Sequence, residues 1–252
     1  MLEELLRLNI FAFFLIFARI GTVIMLLPGF SAAYVSTRIR LGFALAVAFV
    51  VFPVLAPRLP LPPSAVSDLA LMISGEIIVG GFYGLIMRIM IASLQTAGTI
   101  AALASSMANA LVQDPVAEQQ SSTISGFLLT IGVVLIFVSD THHLMLRGLL
   151  QTYDMFEPGA RLPFGDFADT IGREVAASFG LGLQLAAPFV VIGLTYYIGL
   201  GLLGRLMPQL PVFFFGLPLQ ISVQLLVFTI TLSGIMLAFM QNFEMGVYRF
   251  IP

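Results

Sequence analysis

The chain has 252 residues, 59% of them hydrophobic and only 10% charged, against about a quarter charged in a soluble domain. With a mean hydropathy of +1.05, this excludes an ordinary soluble domain and predicts an all-α, polytopic helical membrane protein: about six long helices with Pro/Gly-broken turns. A net charge of −2 offers no basic surface for nucleic acid, and zero cysteines exclude disulfides and thiolate metal sites.

The 11 cations are all arginines. Arginine stays charged when buried and forks onto carboxylates and carbonyls. The first apolar run, Leu8 to Phe30, is long enough to span a bilayer, contains Arg19 and closes on Pro28-Gly29. No small-residue cleavage site follows it, which predicts an uncleaved helix rather than a signal peptide. The second run, Leu41 to Leu55, ends against Pro53 and Pro57, and a stiff proline-rich connector follows.

The third run, Leu69 to about Leu94, encloses Glu76 and Arg88. Ionisable groups at membrane depth need a partner in protein or water, so Arg19, Glu76 and Arg88 are predicted to be buried charges. About 18 Å of helix separates Glu76 from Arg88, so the two cannot pair with each other. Arg19, facing Glu76 across two helices, is a candidate partner, and the sequence leaves the partner of Glu76 open. Gly75, Gly80, Gly81 and Gly84 predict a face that lets helices approach closely.

Ala97 to Ala110 is helix-permissive but thin and half polar, suited to tight packing or to lining a pore. The chain is predicted to leave helix at Asp114-Pro115. The fourth run, Ile124 to Val138, meets a polar girdle at Ser139 to His143 and resumes at Leu144, predicting one helix with a polar middle. Asp140, His142 and His143 suggest a metal site. Yet neighbouring side chains on a helix point about 100° apart, no other ligand cluster lies nearby, and neither metal nor cofactor is expected.

Gln151 to Glu174 is the most polar stretch and reads as a boundary between two halves. The fifth run, Val175 to Leu203, and the sixth, Val212 to Met240, are predicted to form a hairpin. Its turn holds Arg205, Pro208, Gln209, Pro211, Gly216 and Pro218, and prolines there should interrupt the helix. A broken backbone in lipid is tolerated only inside protein or beside a watery cavity. Phe213, Phe214 and Phe215 are candidates for the bulk of a constriction, or for ordinary helix packing.

No nucleophile–base constellation, zinc-protease pattern or phosphate loop is present, so no enzyme is expected. Arginine counts in alternate connections do not orient the helices. Two classes fit: a secondary transporter with broken helices, and a structural subunit of a hetero-oligomeric channel.

An ordered series of short patterns then narrows the choice. It comprises Phe17-Ala18-Arg19-Ile20, Leu27-Pro28-Gly29-Phe30, Arg40-Leu41-Gly42, Gly75-Glu76 through Gly84 and Arg88, Leu94-Gln95-Thr96-Ala97-Gly98, Asp114-Pro115, Pro208-Gln209-Leu210-Pro211-Val212-Phe213 and Gly216-Leu217-Pro218-Leu219-Gln220-Ile221. In this series the chain resembles the FliR family of flagellar export proteins and the related export-gate subunits of injectisomes. The resemblance implies a pore-forming, non-enzymatic subunit of a type III protein export gate, flagellar or injectisome. Residues 1–150 would be similar to a FliP-type subunit, 151–174 a polar connector, and 175–252 a FliQ-type hairpin. One copy would assemble with FliP-like and FliQ-like subunits, an FlhB-like switch protein and a large export-ring protein. The assembly would pass unfolded protein substrates in the basal body of the bacterial inner membrane, raised toward the periplasm. Met107, Ala108, Asn109, Ala110, Leu111, Val112, Gln113, Asp114 and Pro115 would form a plug loop, although Ser105-Ser106-Met107 departs from the Gln-Met-Gly run of many relatives. Asp140-Thr141-His142-His143 likewise replaces an Asn-Gly-His girdle.

Overall fold

The computed structural model describes residues 2–32, 34–106, 111–113, 120–207 and 212–251, with backbone alone for 2–8, 111–113, 120–122 and 212–215. The described elements are α1 (Leu2–Leu26), α2 (Thr37–Leu55), a short 3-10 turn (Ala56–Arg58), α3 (Val66–Ala104), β1 (Leu111–Gln113), β2 (Gln120–Ser122), α4 (Thr123–Val138), α5 (Thr141–Met155), α6 (Phe164–Leu206) and α7 (Val212–Tyr248). Helices dominate because a bilayer offers the backbone no alternative partners. The two strands pair antiparallel, Leu111 opposite Ser122. Among the described residues five helices are long and apolar enough to cross a membrane, or six if the bent α4–α5 pair is one span.

The first compact unit comprises residues 1–89, 140–174 and 246–252. Its core is Leu15, Ile16, Ile20, Ile24, Tyr83, Ile86 and Met87, with Met145 and Leu149 of α5. The turn after α1 uses Gly29 at φ 83° behind Pro28, where a side chain would be strained. Arg40 steadies this loop by donating to the carbonyls of Val35 and Ala32 at 2.9 and 3.2 Å. α1 and α3 run parallel, since Glu76, Gly80 and Gly84 of α3 meet Arg19, Thr22 and Leu26 of α1 in order. A Cβ on Gly80 would lie 2.6 Å from the Arg19 carbonyl oxygen, so the close approach depends on that glycine.

The second unit comprises residues 90–139 and 175–245, with Leu94, Ala101, Leu128, Ile136, Phe189 and Phe239 in its core. Within it α6 and α7 form an antiparallel hairpin: Phe189 meets Gln224 and Phe228, while Tyr196 and Leu200 meet Gly216. The thin stretch after Leu94 continues α3 rather than forming a separate segment. Its smallness serves packing, because a Cβ on Gly98 would lie 2.3 Å from the Cα of Ser125.

Two local expectations are corrected. Pro53 and Pro218 lie inside α2 and α7 instead of ending or delaying them. A proline costs a helix one donor, a loss that surrounding helices can absorb in a membrane protein. The polar girdle is a corner, not the middle of one helix: Asp140 takes φ 59° and α4 and α5 are bent by 77°. The two compact units interleave along the sequence.

Candidate functional site

Two polar constructions stand inside otherwise apolar packing. The first is centred on Arg19, which is fully buried. Its Nε donates to Glu76 Oε2 at 2.6 Å and Nη2 to Glu76 Oε1 at 3.0 Å, the fork-on-fork geometry that guanidinium and carboxylate share. Nη1 donates to the Thr152 carbonyl at 2.9 Å and to its hydroxyl at 3.3 Å, and Nη2 also donates to the Phe156 carbonyl at 2.9 Å. These five bonds match the five N–H donors of the side chain. The two carbonyls belong to the C-terminal end of α5, where the helix dipole favours a cation; the Thr152 oxygen also accepts from the Phe156 backbone N–H at 2.9 Å. The Tyr153 ring lies 4.0 Å from the guanidinium carbon and completes the enclosure.

Nearby contacts rest on small residues in the same way. Tyr83 donates to the Met145 carbonyl at 2.7 Å, an approach a Cβ on Gly148 would obstruct at 2.5 Å. A cavity of about 130 Å³ opens beside the ion pair, lined by Glu76, Gly75, Met72, Glu157 and Leu162. The expected burial thus describes Arg19 and Glu76 but not Arg88, which is exposed on α3.

The second construction lies in the other unit, where α3 ends. Gln220 of α7 is fully buried and its Nε2 donates to the Ala104 carbonyl at 3.0 Å, so α7 supplies a side-chain cap to α3. Ser106 follows at φ 56°, the left-handed conformation that ends many helices, though usually with glycine. Its hydroxyl lies 2.5 Å from the Tyr197 hydroxyl and 3.3 Å from Gln220 Oε1. One turn along α7, Gln224 Nε2 donates to the Phe189 carbonyl at 3.2 Å, and Gln224 Oε1 is buried without a hydrogen-bond donor among the described residues.

Of the expected plug, Met107 to Ala110, Asp114 and Pro115 lie outside the described residues, while Leu111, Val112 and Gln113 form β1. At the hairpin turn, Pro208, Gln209 and Pro211 lie outside the described residues, and Phe213 to Phe215 are described as backbone of the first turns of α7. Arg205 is exposed in the last turn of α6. Gly216 is buried; a Cβ there would lie 2.7 Å from Leu200, and its carbonyl accepts from Tyr196 at 2.5 Å.

The geometric ground for setting the histidines aside is corrected. At the α4–α5 corner the His142 and His143 rings lie 4.1 Å apart, and ligand atoms of Asp140, His142 and His143 fall within 4.8 Å of one another. Asp140 and His143 pair at 3.5 Å as exposed side chains at the start of α5, and exposed acidic groups commonly cluster in this way without a metal.

Sequence reasoning located Arg19 and Glu76 because charge in an apolar run is conspicuous. It missed Thr152, Tyr153 and Phe156, which contribute mostly through backbone and ring. Ser106, Tyr197 and Gln224 were also missed, although Gln220 and Gln224 at helical spacing inside an apolar run were a readable signal.

Residues 10–246 match a family described as bacterial export proteins, family 1. The chain is 33% identical to the flagellar biosynthetic protein FliR of Caulobacter vibrioides, over 91% of this chain and 92% of the relative. Identity to its Bacillus subtilis namesake is 32%, over 94% and 92%. The Yop proteins translocation protein T of Yersinia pestis is 26% identical over 91% and 89%.

Proposed function

The chain belongs to the bacterial export proteins, family 1, with the FliR proteins, and on that premise we propose that it is a structural subunit of a type III protein export gate. The observation that carries this reading is similarity over more than nine-tenths of the chain to two flagellar relatives at 33% and 32% identity, against 26% and 25% for two injectisome relatives. On that ordering the client system is flagellar and the cargo is unfolded protein. The gate sits in the bacterial inner membrane within the basal body, where other small membrane subunits of FliP and FliQ type, a switch protein and an export ring surround this chain. Burial of the unmatched apolar faces of α6 and α7 against such neighbours agrees with the number of large exposed side chains there, Phe179, Leu194, Ile198, Leu226 and Ile230 among them.

In this reading residues 107–115 plug the lumen of the resting gate, and Phe213 to Phe215 narrow it at the hairpin turn. The proposed division into a FliP-like part, residues 1–150, and a FliQ-like hairpin, residues 175–252, describes kinship of segments rather than compactness. The experiment is purification in mild detergent from cells carrying the whole export locus. A gate subunit elutes in one large complex with other small membrane proteins, and elution as a lone chain overturns the proposal. Within that complex, deleting Ala108 to Gln113 raises ion leakage and leaves assembly intact.

A further inference from the structure

The chain has two histidines, and both stand at one place, His142 and His143, just after Asp140. Carboxylates alone would not single out this corner, but two imidazoles converging with one do. Ligand atoms of the three residues all lie within 4.8 Å of one another. Neighbouring side chains on a regular helix point about 100° apart, yet helical side chains also lean toward the N-terminus. Here the left-handed Asp140, at φ 59°, leaves no helical turn in that direction. The two rings lean together in the first turn of α5, with centroids 4.1 Å apart.

The ordinary role of an aspartate before a helix is to cap it with its carboxylate. Asp140 makes no such side-chain cap bond. Its carboxylate oxygen lies 3.5 Å from His143 Nδ1, which is long for a hydrogen bond. That distance is close to the separation of about 3.4 Å between two ligands of a four-coordinate metal ion. The backbone beneath is held firmly. The Asp140 carbonyl accepts from the His143 N–H at 3.0 Å, Thr141 and Met145 are buried, and the Met145 carbonyl accepts from Tyr83 at 2.7 Å. All of these residues belong to the first compact unit. A fixed backbone under side chains that can still rotate suits metal ligation.

We propose that Asp140, His142 and His143 form a binding site for a divalent transition-metal ion of the zinc, cobalt and nickel class. Two imidazole nitrogens and one carboxylate oxygen suit these borderline ions. Magnesium and calcium prefer a shell of oxygens, and copper(I) prefers sulfur. Rotation of the side chains closes the 4.8 Å spread to the separations a metal requires. Three protein ligands leave a further coordination position, which water fills. The bound ion ties the first turn of α5 to the residue that precedes it. The three ligands come from one short segment of this chain, so the site stands or falls independently of the gate reading.

The test uses the full chain purified in detergent without a histidine tag, stripped with a chelator and then dialysed against Zn2+ or Co2+. The wild type takes up one ion per chain, Co2+ develops the visible absorption of a four-coordinate site, and Zn2+ raises the unfolding temperature. His143→Gln removes one nitrogen from an exposed side chain and weakens uptake at least about 100-fold, since losing even an outer-shell partner costs about 10–100-fold. Asp140→Asn keeps a residue that tolerates the left-handed backbone, removes the charge and weakens uptake about 10-fold. Without metal both variants unfold at the wild-type temperature, so the lost uptake is not a lost fold. Uptake well below one ion per chain, equal uptake by the wild type and His143→Gln, or displacement of Zn2+ by excess Mg2+ overturns the site.

Discussion

The two polar constructions solve the same problem, polar groups inside an apolar helical protein, with opposite chemistry. In the first unit an arginine and a glutamate are both buried, and every guanidinium donor is occupied. Opening that joint would strand a charge, so it behaves as a permanent rivet between α1, α3 and the end of α5. In the second unit only amides, hydroxyls and carbonyls take part, and Tyr197 at one edge is 43% exposed. Parting neutral groups strands no charge and costs less than parting the ion pair.

The largest effect that would break this contrast is at Glu76. Glu76→Ala leaves Arg19 charged and enclosed, and the expected loss is about 3–5 kcal/mol of stability, read as a lowered unfolding temperature in detergent and reduced accumulation in membranes. The double variant Arg19→Met with Glu76→Leu is expected to be more stable than Glu76→Ala, because no lone charge remains. A double variant as unstable as the single one would mean that the carbonyl bonds, not the ion pair, carry the joint.

Next is the close approach beneath the rivet. Gly80→Ala places a methyl against the Arg19 carbonyl oxygen, and the helices must separate at a cost of about 1–3 kcal/mol, again read as a lowered unfolding temperature. Gln220→Leu, in the other unit, strands the Ala104 carbonyl and is expected to cost about 1–2 kcal/mol. A loss as large as that of Glu76→Ala would erase the distinction between the charged and the neutral construction. The smallest effect is at Arg58, whose pairing with Asp154 lies at the exposed surface. Arg58→Ala should change stability by less than about 1 kcal/mol.

The helix breaks that could be read locally were those requiring an unusual backbone. Pro28-Gly29 is a turn because Gly29 accepts a positive φ. Asp140 also takes one, yet its residue type did not announce it, and the corner between α4 and α5 was read as continuous helix. Pro218 misled in the other direction, since a proline forbids one hydrogen bond and not a helix.

By itself the sequence determined the membrane class, the number of long apolar helices to within one, the charged residues that had to be reckoned with, and the family. These follow from composition, run length and short patterns, which are properties of the chain in order. Only the tertiary structure decided that Arg19 meets Glu76 and two carbonyls at the end of α5, that Arg88 is exposed on α3, and that Gln220 caps α3. Those outcomes join residues far apart in the chain, and which face of a nearly all-apolar helix turns inward depends on where glycines let another backbone come close.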